Sequence, residues 1–111
     1  MRLTILFAIA VFVFAQAPSA ESPSAQNGRK LFDGFGCYQC HDHDGHGGAG
    51  ARLAPNPIPF GAFSKYVRQP TGEMPPYTAK VVSDRELADI YAYLKSIPPP
   101  PDPKSIPILN R

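Results

Sequence analysis

Cys37-Tyr38-Gln39-Cys40-His41 places two thiols three positions apart with an imidazole directly after the second. One helical turn over this stretch brings both sulfurs to one side, within reach of the two vinyl groups of a single porphyrin, and sets the histidine beside them. This is the spacing for covalent attachment of a c-type haem. His41 is then the proximal iron ligand, and Cys37 and Cys40 carry the thioether bonds. Other chemistry competes for the same pattern. A redox disulfide of the thioredoxin kind needs a βαβ setting, which this chain lacks, and a zinc site needs a second Cys/His pair at suitable separation. The chain has two cysteines in all. His43 and His46 are the remaining histidines, crowded within five residues of His41. With Asp42 and Asp44 they form a second candidate, whose imidazoles and carboxylates suit copper or zinc. Short Asp/His/Gly runs are more often solvated loops.

The start of the chain bears on compartment. Met1 and Arg2 precede an apolar run over residues 3–15. This has the form of a secretory signal peptide, and the run falls short of the ~20 residues that span a bilayer as a helix. Residues 1–20 are read as that signal, with cleavage between Ala17 and Ala25; retention as an anchor is the alternative. Without residues 1–20 the chain keeps ten Lys/Arg against nine Asp/Glu. Such a balance implies neither a nucleic acid nor an anionic membrane as partner. So short a chain makes one domain with little apolar surface of its own to bury, and a covalent haem would complete the core.

Helical segments account for most of the rest. Residues 21–25 read as a flexible leader. Residues 26–35 place Leu31, Phe32 and Phe35 on one helical face. From Asp42 to Gly50 the chain is polar and rich in glycine, and Pro55-Asn56-Pro57-Ile58-Pro59 is neither helical nor a central strand. Residues 60–69 form a short helix with Phe63 and Val67 on one side, stopped by Pro70. Ser83-Asp84-Arg85-Glu86 is a capping-box sequence, followed by Leu87, Ile90, Tyr91 and Leu94 at i, i+3, i+4 and i+7, which predicts a helix over 83–97. The tail 98–111 holds six prolines in fourteen residues and is expected to be extended and polyproline-like.

Met74 is the methionine outside the apolar leader. It lies 33 positions after His41, in Gly72-Glu73-Met74-Pro75-Pro76-Tyr77, where two prolines stiffen a loop able to carry its thioether to the distal side of the iron. His43 and His46 are tethered too close to His41 to reach that face. The competing role, a methionine filling a gap in the core, fits a helix interior better than a proline-flanked loop.

With these residues in view, the chain resembles the small class I monohaem c-type cytochromes, near the short bacterial periplasmic members and the cytochrome modules of dehydrogenase complexes. The resemblance covers residues 26–97. It rests on Cys37-Tyr38-Gln39-Cys40-His41, on Met74-Pro75-Pro76-Tyr77 and, more weakly, on Leu87-Ala88-Asp89-Ile90-Tyr91-Ala92-Tyr93-Leu94. It implies an all-α, cytochrome c-like fold with three to four short helices around one covalently attached haem. The terminal helices are then expected to cross with Gly28 and Phe32 against Ile90 and Tyr93. One departure stands out. Family members carry a Gly-Pro-x-Leu turn whose proline carbonyl holds the proximal histidine, whereas here Gly50-Ala51-Arg52-Leu53 offers the Ala51 carbonyl, with that of Pro55 as the alternative.

Imidazole and thioether together leave iron no vacant position, and the soft sulfur favours Fe(II). The expected function is therefore a periplasmic one-electron carrier and not an enzyme. Its expected partners are redox proteins: a dehydrogenase or quinol-oxidising complex as donor, and a terminal oxidase or another cytochrome as acceptor. Contact with the membrane comes only through partners or an uncleaved signal. Lys65, Arg68 and Lys80 are candidate steering charges. A haem enzyme or ligand sensor with an open sixth position, or a cytochrome subunit of a dehydrogenase complex, are the alternatives. Attachment itself has a direct check: haem should stay with the polypeptide through acid-acetone extraction, and the Cys37→Ala, Cys40→Ala double variant should release it.

Overall fold

A computed structural model describes residues 21–111, and the signal-peptide assignment lies outside them. The described chain contains four α-helices, with no strand among the described residues. They are α1 (Ala25–Gly34), α2 (Tyr38–His41), α3 (Phe60–Arg68) and α4 (Asp84–Ser96). The three longer ones start and end within a residue of the limits that periodicity and capping predict.

Capping chemistry sets where α1 and α4 begin. The Ser24 hydroxyl accepts the Asn27 amide at 3.2 Å and so satisfies one of the free N–H groups of the first turn of α1. At α4 the box is reciprocal. The Ser83 hydroxyl accepts from the Glu86 amide at 3.2 Å, while the Glu86 carboxylate accepts from the Ser83 amide at 2.8 Å.

The dominant packing is α1 across α4, at the place expected from Gly28. A β-carbon on Gly28 would lie 1.9 Å from the Asp89 carbonyl oxygen, so the two backbones meet where only hydrogen fits. One turn further along, the Phe32 and Tyr93 rings meet edge to face with centroids 5.7 Å apart. Leu87, Ile90 and Leu94 fill the space beneath, joined by Phe63 and Val67 of α3 and by Ala54, Val82 and Ile97. Tyr91 is only half-buried. Its ring packs on Phe60 and Phe63 at the α3 end, and its hydroxyl donates to the Ile58 carbonyl at 3.1 Å.

Asp89 is a charge inside this interface, 4 % exposed. Its carboxylate accepts from the Ser24 amide at 2.7 Å and the Asn27 side-chain amide at 2.8 Å, and the Arg85 guanidinium lies 3.4 Å away. Burial alone would raise its pKa, but the bonds from Asn27 and Ser24 and the charge of Arg85 outweigh burial and hold it below the ordinary aspartate value. Arg85 also donates to the carbonyls of Glu21 and Ser22. The segment expected to be a loose leader therefore lies against α4, because α4 presents a fork of donors to it.

The tail also differs from expectation. Two short 3₁₀ turns, Pro103–Ser105 and Pro107–Leu109, replace the extended chain. The Asn110 side chain closes them by donating to the carbonyls of Pro103, Lys104 and Ile106 at 3.0, 3.0 and 2.9 Å. Proline fixes φ at a value that 3₁₀ and polyproline conformations share, and the Asn110 amide selects the former.

Leu94 is fully buried, so Leu94→Ala should cost about 2 to 5 kcal/mol in chemical denaturation. Asp89 predicts an acid limb. A carboxylate whose native pKa is depressed contributes stability that is complete above about pH 4 and is lost as pH falls through the native value. Asp89→Asn should lower stability at neutral pH and flatten its dependence below about pH 4 relative to wild type, read from denaturation midpoints across pH.

Candidate haem attachment site

The chain leaves α1 and enters the cysteine motif without an intervening loop. Gly36 turns it with φ of +77°, and the Cys37 amide donates back to the Phe32 carbonyl at 3.0 Å. The motif then forms the single turn α2, with Cys37 at its N-cap. Cys37 and Cys40 thus sit one turn apart, which is the relation that two thioether links to one ring require. Both are free thiols, Cys37 half-buried and Cys40 exposed. Burial, with a smaller push from the Asp33 charge, raises the Cys37 thiol to about 11, against a lowering backbone hydrogen bond.

A loop folded under the motif holds His41. Asp42, with φ of 66°, ends the turn. The chain then wraps back so that the Gly50 amide donates to the Cys40 carbonyl at 2.7 Å and the Gly47 amide to the His41 carbonyl at 3.1 Å. This brings the Ala51 carbonyl 2.7 Å from His41 Nδ1. A carbonyl can only accept, so Nδ1 carries the proton and the Nε2 lone pair is left to bind a metal. Gly50 makes the approach possible, since a β-carbon there would stand 2.8 Å from His41 Cε1. Ala51 therefore does what the family's proline carbonyl does, and Pro55 does not. The bond needs only a backbone oxygen at the right place, and the Gly50 and Gly47 hydrogen bonds put it there.

His43, the next histidine along the loop, is engaged by the fold. His43 Nδ1 lies 2.8 Å from Asp33 Oδ1, its ring stacks on Tyr38 with centroids 4.3 Å apart, and its carbonyl accepts the Tyr93 hydroxyl at 2.6 Å. These contacts pin the loop to α1 and α4. Among the described residues no three His, Cys, Asp or Glu side chains come together as a cation site. Of the copper or zinc candidates Asp42, His43, Asp44 and His46, His43 has its ring engaged by Asp33 and Tyr38.

Met74 lies in the irregular segment between α3 and α4, half-buried, and packs against the same core as Cys37, Tyr38, Leu53 and Tyr77. Tyr77 ties its loop to the cysteine side: its hydroxyl donates to the Phe35 carbonyl at 3.0 Å and its amide to the Val67 carbonyl at 3.0 Å. Burial, and then the nearby Cys37 and Cys40, raise the Tyr77 pKa, which keeps the hydroxyl a donor. The structure also reassigns Arg68. Its side chain, 18 % exposed, turns inward to the carbonyls of Tyr77 and Val82; Lys65 and Lys80 remain exposed. The Arg68 acceptors lie 9 and 14 residues further along the chain, beyond the end of α3, so no local pattern marks them.

The residues present fit a c-type haem. Two unpaired thiols one turn apart stand next to an imidazole whose Nδ1 is committed to Ala51 and whose Nε2 is not. Two hollows, of about 380 and 340 Å³, lie elsewhere, under Pro98 to Pro101 and beside Tyr91, and neither is lined by Cys37, Cys40, His41 or Met74. A search of curated proteins and of solved structures finds no match. The family model described as "Cytochrome C oxidase, cbb3-type, subunit III" matches residues 23–94, from the segment docked on α4 through the last core leucine of α4. An all-helical fold, a cysteine–histidine turn built to hold haem and this match agree: the chain belongs to the family of cbb3-type cytochrome c oxidase subunit III and is a small c-type cytochrome domain for haem-based electron transfer.

Proposed function

We propose that this chain is a periplasmic one-electron carrier with a single haem c on Cys37 and Cys40, His41 as the proximal ligand and Met74 as the distal one. The observation that carries this reading is the 2.7 Å bond between His41 Nδ1 and the Ala51 carbonyl. It selects the tautomer and orients the ring. When bound, the haem supplies an iron that changes oxidation state by one electron.

The residues of this chain do the rest. Gly50 lets the backbone lie against the imidazole. Cys37 and Cys40 hold the macrocycle beside it, so that ligand and ring cannot separate when the domain breathes. Met74, carried on the loop fastened by Tyr77, occupies the distal position; its soft sulfur favours the reduced state and closes the iron to exogenous ligands. A closed coordination sphere supports a carrier rather than an enzyme.

The periplasmic assignment rests on the leader pattern of residues 1–20. No helix among the described residues is long and apolar enough to cross a membrane. The family description names an oxidase subunit, which supports a redox complex as partner. A dehydrogenase or quinol-oxidising complex is then the donor, and a terminal oxidase or another cytochrome the acceptor. Near-balanced charge supports weak, transient docking. Exposed Tyr66 and Val81, on either side of the Met74 loop, with Lys65 and Lys80 nearby in sequence, suit such a surface, since protein contact patches mix apolar centres with charged rims.

Met74→Ala removes the thioether and provides the test. Ferric wild type should show the weak long-wavelength charge-transfer band of methionine-ligated iron. The variant should lose that band, gain high-spin character, bind carbon monoxide when reduced and show a lower potential. Identical spectra and potentials in the two proteins would remove Met74 as the ligand and open the sixth position.

A further inference from the structure

The segment bearing Met74 has little structure of its own. Between Thr71 and Tyr77 the backbone makes no hydrogen bond, and Pro75 and Pro76 have no N–H to offer. The place of the thioether therefore depends on how the two ends of the arc are fastened. The near end is held by the Tyr66 hydroxyl, which donates to the Thr71 carbonyl at 2.6 Å. The far end converges on one side chain. Arg68 Nη1 donates to the Tyr77 carbonyl at 3.0 Å and to the Val82 carbonyl at 2.7 Å, and Nη2 lies 2.8 Å from Asp84 Oδ1.

We propose that Arg68 is the positioning residue of the distal-ligand loop: its guanidinium locks Tyr77, three residues after Met74, to the start of α4 and so holds the thioether in place. Tyr77 is then fixed through both of its backbone polar groups, by its amide to Val67 and by its carbonyl to Arg68. The arms are unequal. The Asp84 side chain is 87 % exposed, so water screens that pair and it adds little. The two carbonyl bonds are charge-assisted and partly buried, and they are the ones that count. One nitrogen of the planar guanidinium, Nη1, serves both carbonyls at the far end at once, in a fixed geometry that a lysine ammonium on a flexible stem does not reproduce.

The inference rests on Met74 being the distal ligand, and one set of measurements separates the two. Holoprotein of wild type, Arg68→Met, Arg68→Lys and Asp84→Asn is titrated with urea. The methionine–iron charge-transfer band and far-UV circular dichroism are followed in parallel, and carbon monoxide binding to the reduced forms is measured at neutral pH. In both Arg68 variants the band should vanish at lower urea than the helical signal, and the population with sulfur off the iron should rise roughly tenfold, the scale of one lost charge-assisted hydrogen bond. Carbon monoxide binding should accelerate in proportion. Asp84→Asn should match wild type.

Arg68→Lys keeps charge and most of the volume, so it reports on the loop if Arg68→Met fails to fold. Arg68 variants with the wild-type band and carbon monoxide behaviour would overturn the proposal. So would a single shifted transition in which band and helix disappear together, since Arg68 would then serve the fold alone. A wild type without the band would remove the Met74 ligation first, and the positioning role would fall with it.

Discussion

Gly28 and Asp89 set the distance at which α1 crosses α4, and the rest of the domain is arranged around that contact. Glycine allows the backbones to meet with the Asp89 carbonyl over Gly28. The Asp89 carboxylate then bonds the Ser24 amide and the Asn27 side chain of the other helix. Close approach and charge-assisted hydrogen bonding act on the same turn, so neither helix can slide without breaking both. A buried carboxylate is costly unless its oxygens are engaged. Here both are, and the bonds they make fix the register of the crossing.

The attachment site inherits this register. Cys37 follows soon after α1, tied back to it by the hydrogen bond that its amide donates to the Phe32 carbonyl, and Phe32 is packed on Tyr93. The Tyr93 hydroxyl in turn holds the His43 carbonyl, and a β-carbon on Gly45 would strike Leu94. The loop that supports His41 is thus pressed against α4 from one side and hung from α1 on the other. An imidazole ligand needs its ring held at a fixed orientation, and two packed helices supply a frame for it that a loop of glycines alone would not.

The segment of Met74, the proposed distal ligand, uses a different device. Met74 stands on an arc without regular structure, fastened at its ends by Tyr66, Tyr77 and Arg68. A short helical turn carrying Cys37, Cys40 and His41 and a tethered loop carrying Met74 separate two demands. In the proposed carrier the turn would keep the haem, and the loop would set how firmly the iron is closed to other ligands.

Much of the fold and site was legible because the relevant interactions are local. The capping box at Ser83, the one-turn spacing of Cys37 and Cys40, and the glycine demanded at position 28 each follow from chemistry within a few residues, or from a single steric requirement. What tertiary structure alone decided involves partners far apart in the chain. Which carbonyl takes the His41 proton depended on how Gly47 and Gly50 fold the loop back. Whether Arg68 faced water or bridged Tyr77 and Val82 depended on where α4 begins relative to α3. Asp89, adjacent to core residues along α4, found its partners at Ser24 and Asn27 across the crossing, and the end of the tail took 3₁₀ turns because Asn110 could reach the carbonyls of Pro103, Lys104 and Ile106. The sequence by itself determined the chemistry of the haem-holding turn, since that chemistry lies within five consecutive residues. The packing of α1 on α4 determined the second shell around it, because a hydrogen-bond acceptor is chosen by position in space and any backbone carbonyl can serve.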